Sequence, residues 1–175
     1  MRTDNLIFLV CMLLLGCAQN SGSGTADKTP DNKIRKQIVP VVEKYIMSQL
    51  PDAKKATSKN GIITFDNKQK RYVLEPSKIY SGLIDDDEKK DAIVSLSTFQ
   101  GQYQTVSEQL IIVNTGKDYT LARAMESDMR IISLKDRIIT ADVPEHSRST
   151  PLFNCPSCWE VVRYKFTMGE LVKAE

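Results

Sequence analysis

Beyond Pro51 the sequence is a succession of short runs with apolar residues at alternate positions, each broken at turn residues, and this pattern leaves few folds open. "GIITF", "RYVLE" and "KIYSGLI" come first, the first two joined by the turn-like "DNKQ". "DAIVSLSTF" and "SEQLIIVN" follow, then the turn "NTGKD" and the run "YTLARAME". "RIISLKDRIITADV" reads as a hairpin about Lys135-Asp136, and "EVVRYKFTMGELVKA" as a last hairpin about Met168-Gly169. Alternation within the runs implies a sheet with one buried and one wet face. Helical spacing is found ahead of these runs, in "DNKIRKQIVPVVEKYIMSQLP". There Ile34, Ile38, Val41, Val42, Tyr45, Ile46 and Leu50 recur at intervals of three and four, making one apolar stripe. Pro40 lacks a backbone donor, so the helix either kinks or starts there, and Pro51 ends it. One helix before many strands predicts an α+β fold, with an N-terminal amphipathic helix packed on a mostly antiparallel β-sheet.

The first residues, "MRTDNLIFLVCMLLLGC", place a short head carrying Arg2 before the apolar run Leu6 to Leu15. That run is about half of what a helix needs to cross a bilayer, and its form is that of an export signal. It ends in "LLGC", Leu14 to Cys17, which resembles the lipobox of bacterial lipoproteins. The resemblance implies cleavage after Gly16 and a lipid-bearing Cys17. Residues 1–16 are then a signal peptide, and 17–32 the lipidated cysteine with a polar, flexible tether of on the order of 20 Å. Residues 33–175 suffice for a single α+β domain. Several acyl chains hold a protein to a membrane stably. Ala18 after the cysteine favours the outer membrane, facing the periplasm or the surface, over retention at the inner one.

Charge is uneven along the chain. Asp31 to Lys78 carries eleven basic and five acidic residues, a net +6, whereas Ile79 to Glu175 carries eleven and fifteen, a net −4. A basic first half suits anionic headgroups or an acidic protein, and it equally suits a small domain kept in solution by its surface charges. Nucleic acid is not expected as a partner in the envelope.

Two stretches could carry chemistry. In "GLIDDDEKKDAIV", Asp85, Asp87 and Asp91 have the spacing with which calcium loops present oxygens to one hard cation. Leu83 offers no side-chain oxygen, Glu88 stands where glycine would ease a sharp turn, and Lys89 and Lys90 repel a cation. An acidic turn leading into a strand is therefore the expectation, with no metal and no cofactor. The second stretch, "DVPEHSRSTPLFNCPSCW", holds the sole histidine, His146, the sole tryptophan, Trp159, and the pair Cys155 and Cys158. With Cys11 removed and Cys17 acylated, these two cysteines remain in an oxidising compartment. A structural zinc wants four ligands, more than two cysteines and one histidine provide. A Cys–His nucleophile needs an imidazole in reach of the sulfur and a third group to orient it, and nothing here resembles a protease signature. A thioredoxin-type centre sets its first cysteine at a helix N-terminus, whereas "CPSC" precedes the strand-like "WEVVRYKF". A Cys155–Cys158 disulfide staple is thus expected, with a thiol–disulfide redox pair as the alternative. So short a ring stabilises by about 2 kcal/mol.

The acidic loop running into "DAIV", taken with the later "CPSCWEVVRYKFTMGELV", resembles the LppP/LprE-type lipoproteins, over roughly residues 78–175. That resemblance implies an envelope domain and names no reaction. The expectation is a membrane-tethered, non-enzymatic binding domain for an envelope protein or glycan. A toxin-capturing, immunity-type lipoprotein is one concrete form of it. If Cys17 is the lipidated residue, intact mass of the extracted protein will match an acylated chain beginning at Cys17. Labelled fatty acid will enter the native protein and not the Cys17→Ser variant.

Overall fold

The computed structural model describes residues 32–105, 107–144 and 158–174. Helix α1, Asn32–Gln49, buries Ile38, Val42 and Ile46 completely, one residue per turn along the expected stripe. Pro40 lies inside the helix and does not start it, and it sits on the exposed side. Its missing N–H costs only the bond to the Lys36 carbonyl, which water can solvate. The Leu50 amide still donates to the Ile46 carbonyl at 2.8 Å before Pro51 turns the chain away. Among the described residues no helix is long and apolar enough to cross a membrane.

Among the described residues eleven strands follow, in two antiparallel sheets. β1 (Lys54–Thr57), β2 (Ile63–Asp66), β3 (Lys70–Gly82), β4 (Asp91–Gln100), β6 (Glu108–Asn114) and β7 (Tyr119–Glu126) lie in that order, with the two-residue β5 (Tyr103–Gln104) beside β4. β8 (Arg130–Lys135), β9 (Ile138–Pro144), β10 (Trp159–Thr167) and β11 (Glu170–Lys173) form a second sheet in the order β11-β10-β9-β8. The class is α+β with the helix packed on a sheet, as expected, but the strands divide between two sheets instead of one.

The division follows from β4 and β6. Ala92, Val94 and Leu96 of β4, and Leu110 and Ile112 of β6, join Ile38, Val42 and Ile46 in one core. Ile93 and Ile111, on the opposite face, join Ile131, Leu134, Ile139 and Ala141 of the small sheet in another. The unbroken runs "AIV" and "LIIV" therefore mark strands buried on both faces, which an alternating pattern does not produce. The large sheet becomes the middle of three layers.

Three local expectations need correction. "RYVLE" and "KIYSGLI" are one strand, β3: Leu74 pairs with Leu96 and Ile79 with Val94, so residues 75–78 bulge out opposite Ser95. Pro76, which cannot donate to a ladder, lies in that bulge. The first hairpin of the small sheet turns at Asp136-Arg137, one residue later than Lys135-Asp136, because Lys135 pairs with Ile138. Both turn residues have left-handed φ (52° and 60°), as a tight two-residue hairpin requires. β1 and β5 were not anticipated: β1 is exposed along its whole length and carries no alternation. The last hairpin turns at Met168-Gly169, where expected.

One buried carboxylate ties the helix to the sheet. Glu108 of β6 is 4% exposed and accepts from Tyr45 Oη of α1 at 2.7 Å, Tyr72 Oη at 3.0 Å and Lys70 Nζ at 3.3 Å. Lys70 also donates to Tyr72 Oη at 2.7 Å and stands 4.5 Å from the centre of its ring. Burial, then the hydrogen bond and charge of Glu108, hold the Tyr45 phenol above its ordinary range. Burial raises Tyr72 as well, against the opposing pull of Lys70. A phenol held up in the fold contributes stability that is complete below its unfolded pKa and is lost as pH rises toward the folded one. Urea midpoints should accordingly hold through neutral pH and fall above about pH 10, where phenols ionise in the unfolded chain. Glu108→Ala, which strands Lys70 and two phenols, should cost about 3 kcal/mol in the same assay at pH 7.

Candidate functional site: a polar cleft between the sheets

The structure brings the three acidic candidates together. The carboxylates of Asp85, Asp87 and Asp91 offer oxygens within 4.8 Å of one another. Those oxygens are already engaged. Asp91 is fully buried and receives the Asn114 amide at 2.8 Å on one oxygen and the Ile84 amide at 3.0 Å on the other. Asp87 receives the Lys89 amide at 2.9 Å and its ammonium at 2.6 Å, which hold its carboxyl below the usual range. Asp85 receives the Asp87 amide at 3.0 Å. Glu88 takes a left-handed φ of 59°, the position at which glycine would have been easier. The loop is thus an acidic turn closed on its own amides. Asp91 pins the end of β3 to the end of β6, and burial outweighs its backbone hydrogen bonds to raise its carboxyl pKa.

Cys17, His146 and Cys155 lie outside the described residues. Cys158 is wholly buried in a helical turn, and strand β10 begins at the next residue. Trp159 opens that strand, and it leads to a feature the sequence reading did not single out.

Along the face of β4 turned toward the small sheet, the side chains run Ile93, Ser95, Ser97; along β6 they run Ile111, Gln109, with Ser107 just before the strand. Isoleucine stands where the small sheet covers the large one, and hydroxyls and an amide stand where the cover ends. The open part is a cleft of about 480 Å³. Its floor is held in place: Ser95 Oγ donates to Gln109 Oε1 at 2.6 Å, and Gln109 Nε2 donates to the Met129 carbonyl at 3.0 Å. One wall comes from β3, with Lys78 and Tyr80, and burial raises the Tyr80 phenol. The other comes from the start of β8 and β10, where the Arg130 guanidinium lies 3.9 Å from the centre of the Trp159 ring beside Asp128. A fixed floor, an aromatic wall and a few convergent polar groups are the makings of a small-ligand site.

The signal for it was present in "IVSLS" and "SEQLII". Within each run the polar residues share a face with the isoleucine, but a strand read alone does not tell whether that face is open. A second hollow, about 570 Å³, lies between α1 and the edge strand β7 and is lined by Pro40, Val41, Tyr119 and Leu121 among others. Its phenols are spent, Tyr45 on Glu108 and Tyr119 on the Lys90 carbonyl, so it offers little to orient a ligand.

Removing Asp91 leaves two buried amides without acceptors, whereas Asp85 and Asp87 serve only an exposed turn. Asp91→Ala should therefore destabilise by about 2–3 kcal/mol, and Asp85→Ala or Asp87→Ala by less than about 1 kcal/mol, read from urea unfolding.

No family model matches the chain, and no curated protein or solved structure matches it.

Proposed function

We propose that this chain is a lipid-tethered protein of the cell envelope whose folded domain binds a partner, a glycan or the polar part of a protein, in the cleft between its sheets. The observation that carries the reading is the cleft itself, a ready-made floor and wall of hydroxyl, amide, cationic and aromatic groups. Lipidation at Cys17, suggested by "LLGC", would hold the domain at the membrane, with the outer membrane favoured by Ala18. Capture of a toxin arriving in the periplasm is one form such binding would take.

Binding without catalysis fits the chemistry of the cleft. Asp128 is the sole carboxylate among its described lining residues, whereas glycoside hydrolysis ordinarily takes a pair. No cysteine or histidine lines it among those residues either. The redox alternative needs a thiol that a partner can reach. That thiol would be Cys155, the first of the pair; Cys158 is wholly buried and partnered, which agrees with a Cys155–Cys158 disulfide under either reading.

A photo-crosslinking residue placed at Ser97, on the floor of the cleft, should capture a specific envelope molecule in living cells. The same residue at Lys54, on the exposed strand β1, should not. Equal or absent capture at both positions would overturn the cleft as the binding site.

A further inference from the structure

We infer that the ligand of the cleft is a short saccharide carrying one anionic group; this rests on the reading of the cleft as a binding site and names its ligand class. The floor is the face of an interior strand: β4 lies between β3 and β6, its ladder to β3 interrupted only at the bulge opposite Ser95. An extended peptide binding by strand addition needs a free edge, which this floor does not offer. What it does offer is side-chain hydroxyls, Ser97 and Ser107 and, already bonded to Thr98 Oγ1 at 2.7 Å, Thr105, besides the Ser95–Gln109 pair. Each hydroxyl both donates and accepts, which matches the hydroxyls of a sugar ring, themselves donors and acceptors. Arg130 covers one face of Trp159; the rest of the indole's flat apolar surface suits the C–H face of such a ring, and the side chain has few rotatable bonds to freeze on binding.

Charge selects within that class. Lys78 and Arg130 enter from opposite walls, against the single acid Asp128, leaving one cationic charge unmatched among the described lining residues. The face continues beyond Ser97 to Phe99, where the Arg71 guanidinium stacks at 4.7 Å and keeps its Nε buried without a partner. A neutral sugar would leave this excess of positive charge without a counter-charge, whereas a carboxylate or phosphate on the saccharide would meet it. The volume, about 480 Å³, is that of a small-ligand pocket and suits a ligand of about two rings.

The test is calorimetric titration of the protein, extracted in detergent, with two disaccharide probes that share one sugar backbone. One is the disaccharide of N-acetylglucosamine and N-acetylmuramic acid, which bears a carboxylate; the other is neutral diacetylchitobiose. The acidic probe should bind at least roughly tenfold more tightly, and the preference should shrink as salt rises. Lys78→Gln and Arg130→Gln should each reduce that preference. Trp159→Ala should weaken both probes together, with Trp159→Phe keeping most of the affinity should the alanine variant not fold. Equal binding of the two probes would overturn the anionic requirement. Binding of neither would overturn the saccharide, and capture at Ser97 in cells then decides the fate of the cleft: capture there leaves a binding site for another ligand, and its absence removes both inferences.

Discussion

Strands β4 and β6 carry apolar side chains on both faces, and a sheet whose middle is apolar on both sides cannot rest with either face in water. Each face of the pair needs a cover. The helix supplies one through Ile38, Val42 and Ile46, and the small sheet supplies the other through Ile131, Leu134, Ile139 and Ala141. Burying each fully enclosed aliphatic side chain contributes about 1.5–3 kcal/mol before the entropy of ordering is subtracted. The positions of α1 and of the small sheet are consequences of that demand. So is the cleft, which is the part of the central layer where the cover stops and the side chains turn polar.

Two buried carboxylates set the alignment that apolar contact alone would leave loose. Glu108 fixes the helix against β3 and β6 through directional bonds to Tyr45, Lys70 and Tyr72. Asp91 fixes the connection after β3 to the end of β6 through two amides. Both lie within strands that are otherwise core. A buried carboxylate is costly unless its oxygens are met by donors, and each of these meets donors from elements distant in sequence. They hold the middle layer in register at two places, one on the helix side and one at the acidic turn.

Much of this architecture is legible in the sequence. The helix, the run from Tyr119 to Glu126 and the hairpin at Met168-Gly169 follow from period and turn chemistry, which are local properties. The second sheet is harder to foresee. Whether "RIISLK" joins the strands before it or forms a sheet of its own depends on what covers Ile93 and Ile111, and that is a tertiary fact. The bulge of β3 reads as a gap between strands because Pro76 looks like a terminator when its partners are unknown. At the acidic turn, spacing correctly brings Asp85, Asp87 and Asp91 together. Their hydrogen-bond partners Ile84 and Asn114 are what make Asp91 an anchor, and Asn114 is far along the chain. The cleft is the least legible feature, since its groups come from five separated stretches.

The bulge at residues 75–78 has a consequence for how such a protein can diverge. Leu74 and Ile79 flank it, and both belong to the helix-side core, so the parity of β3 is restored once the extra residues are passed. Residues can be gained or lost within that loop-out while the ladder on either side keeps its pairing. Lys78 belongs to it and lines the cleft. One wall of the cleft is therefore built on a segment of the sheet that can take insertions, and its rim can be re-shaped while the central strands stay as they are.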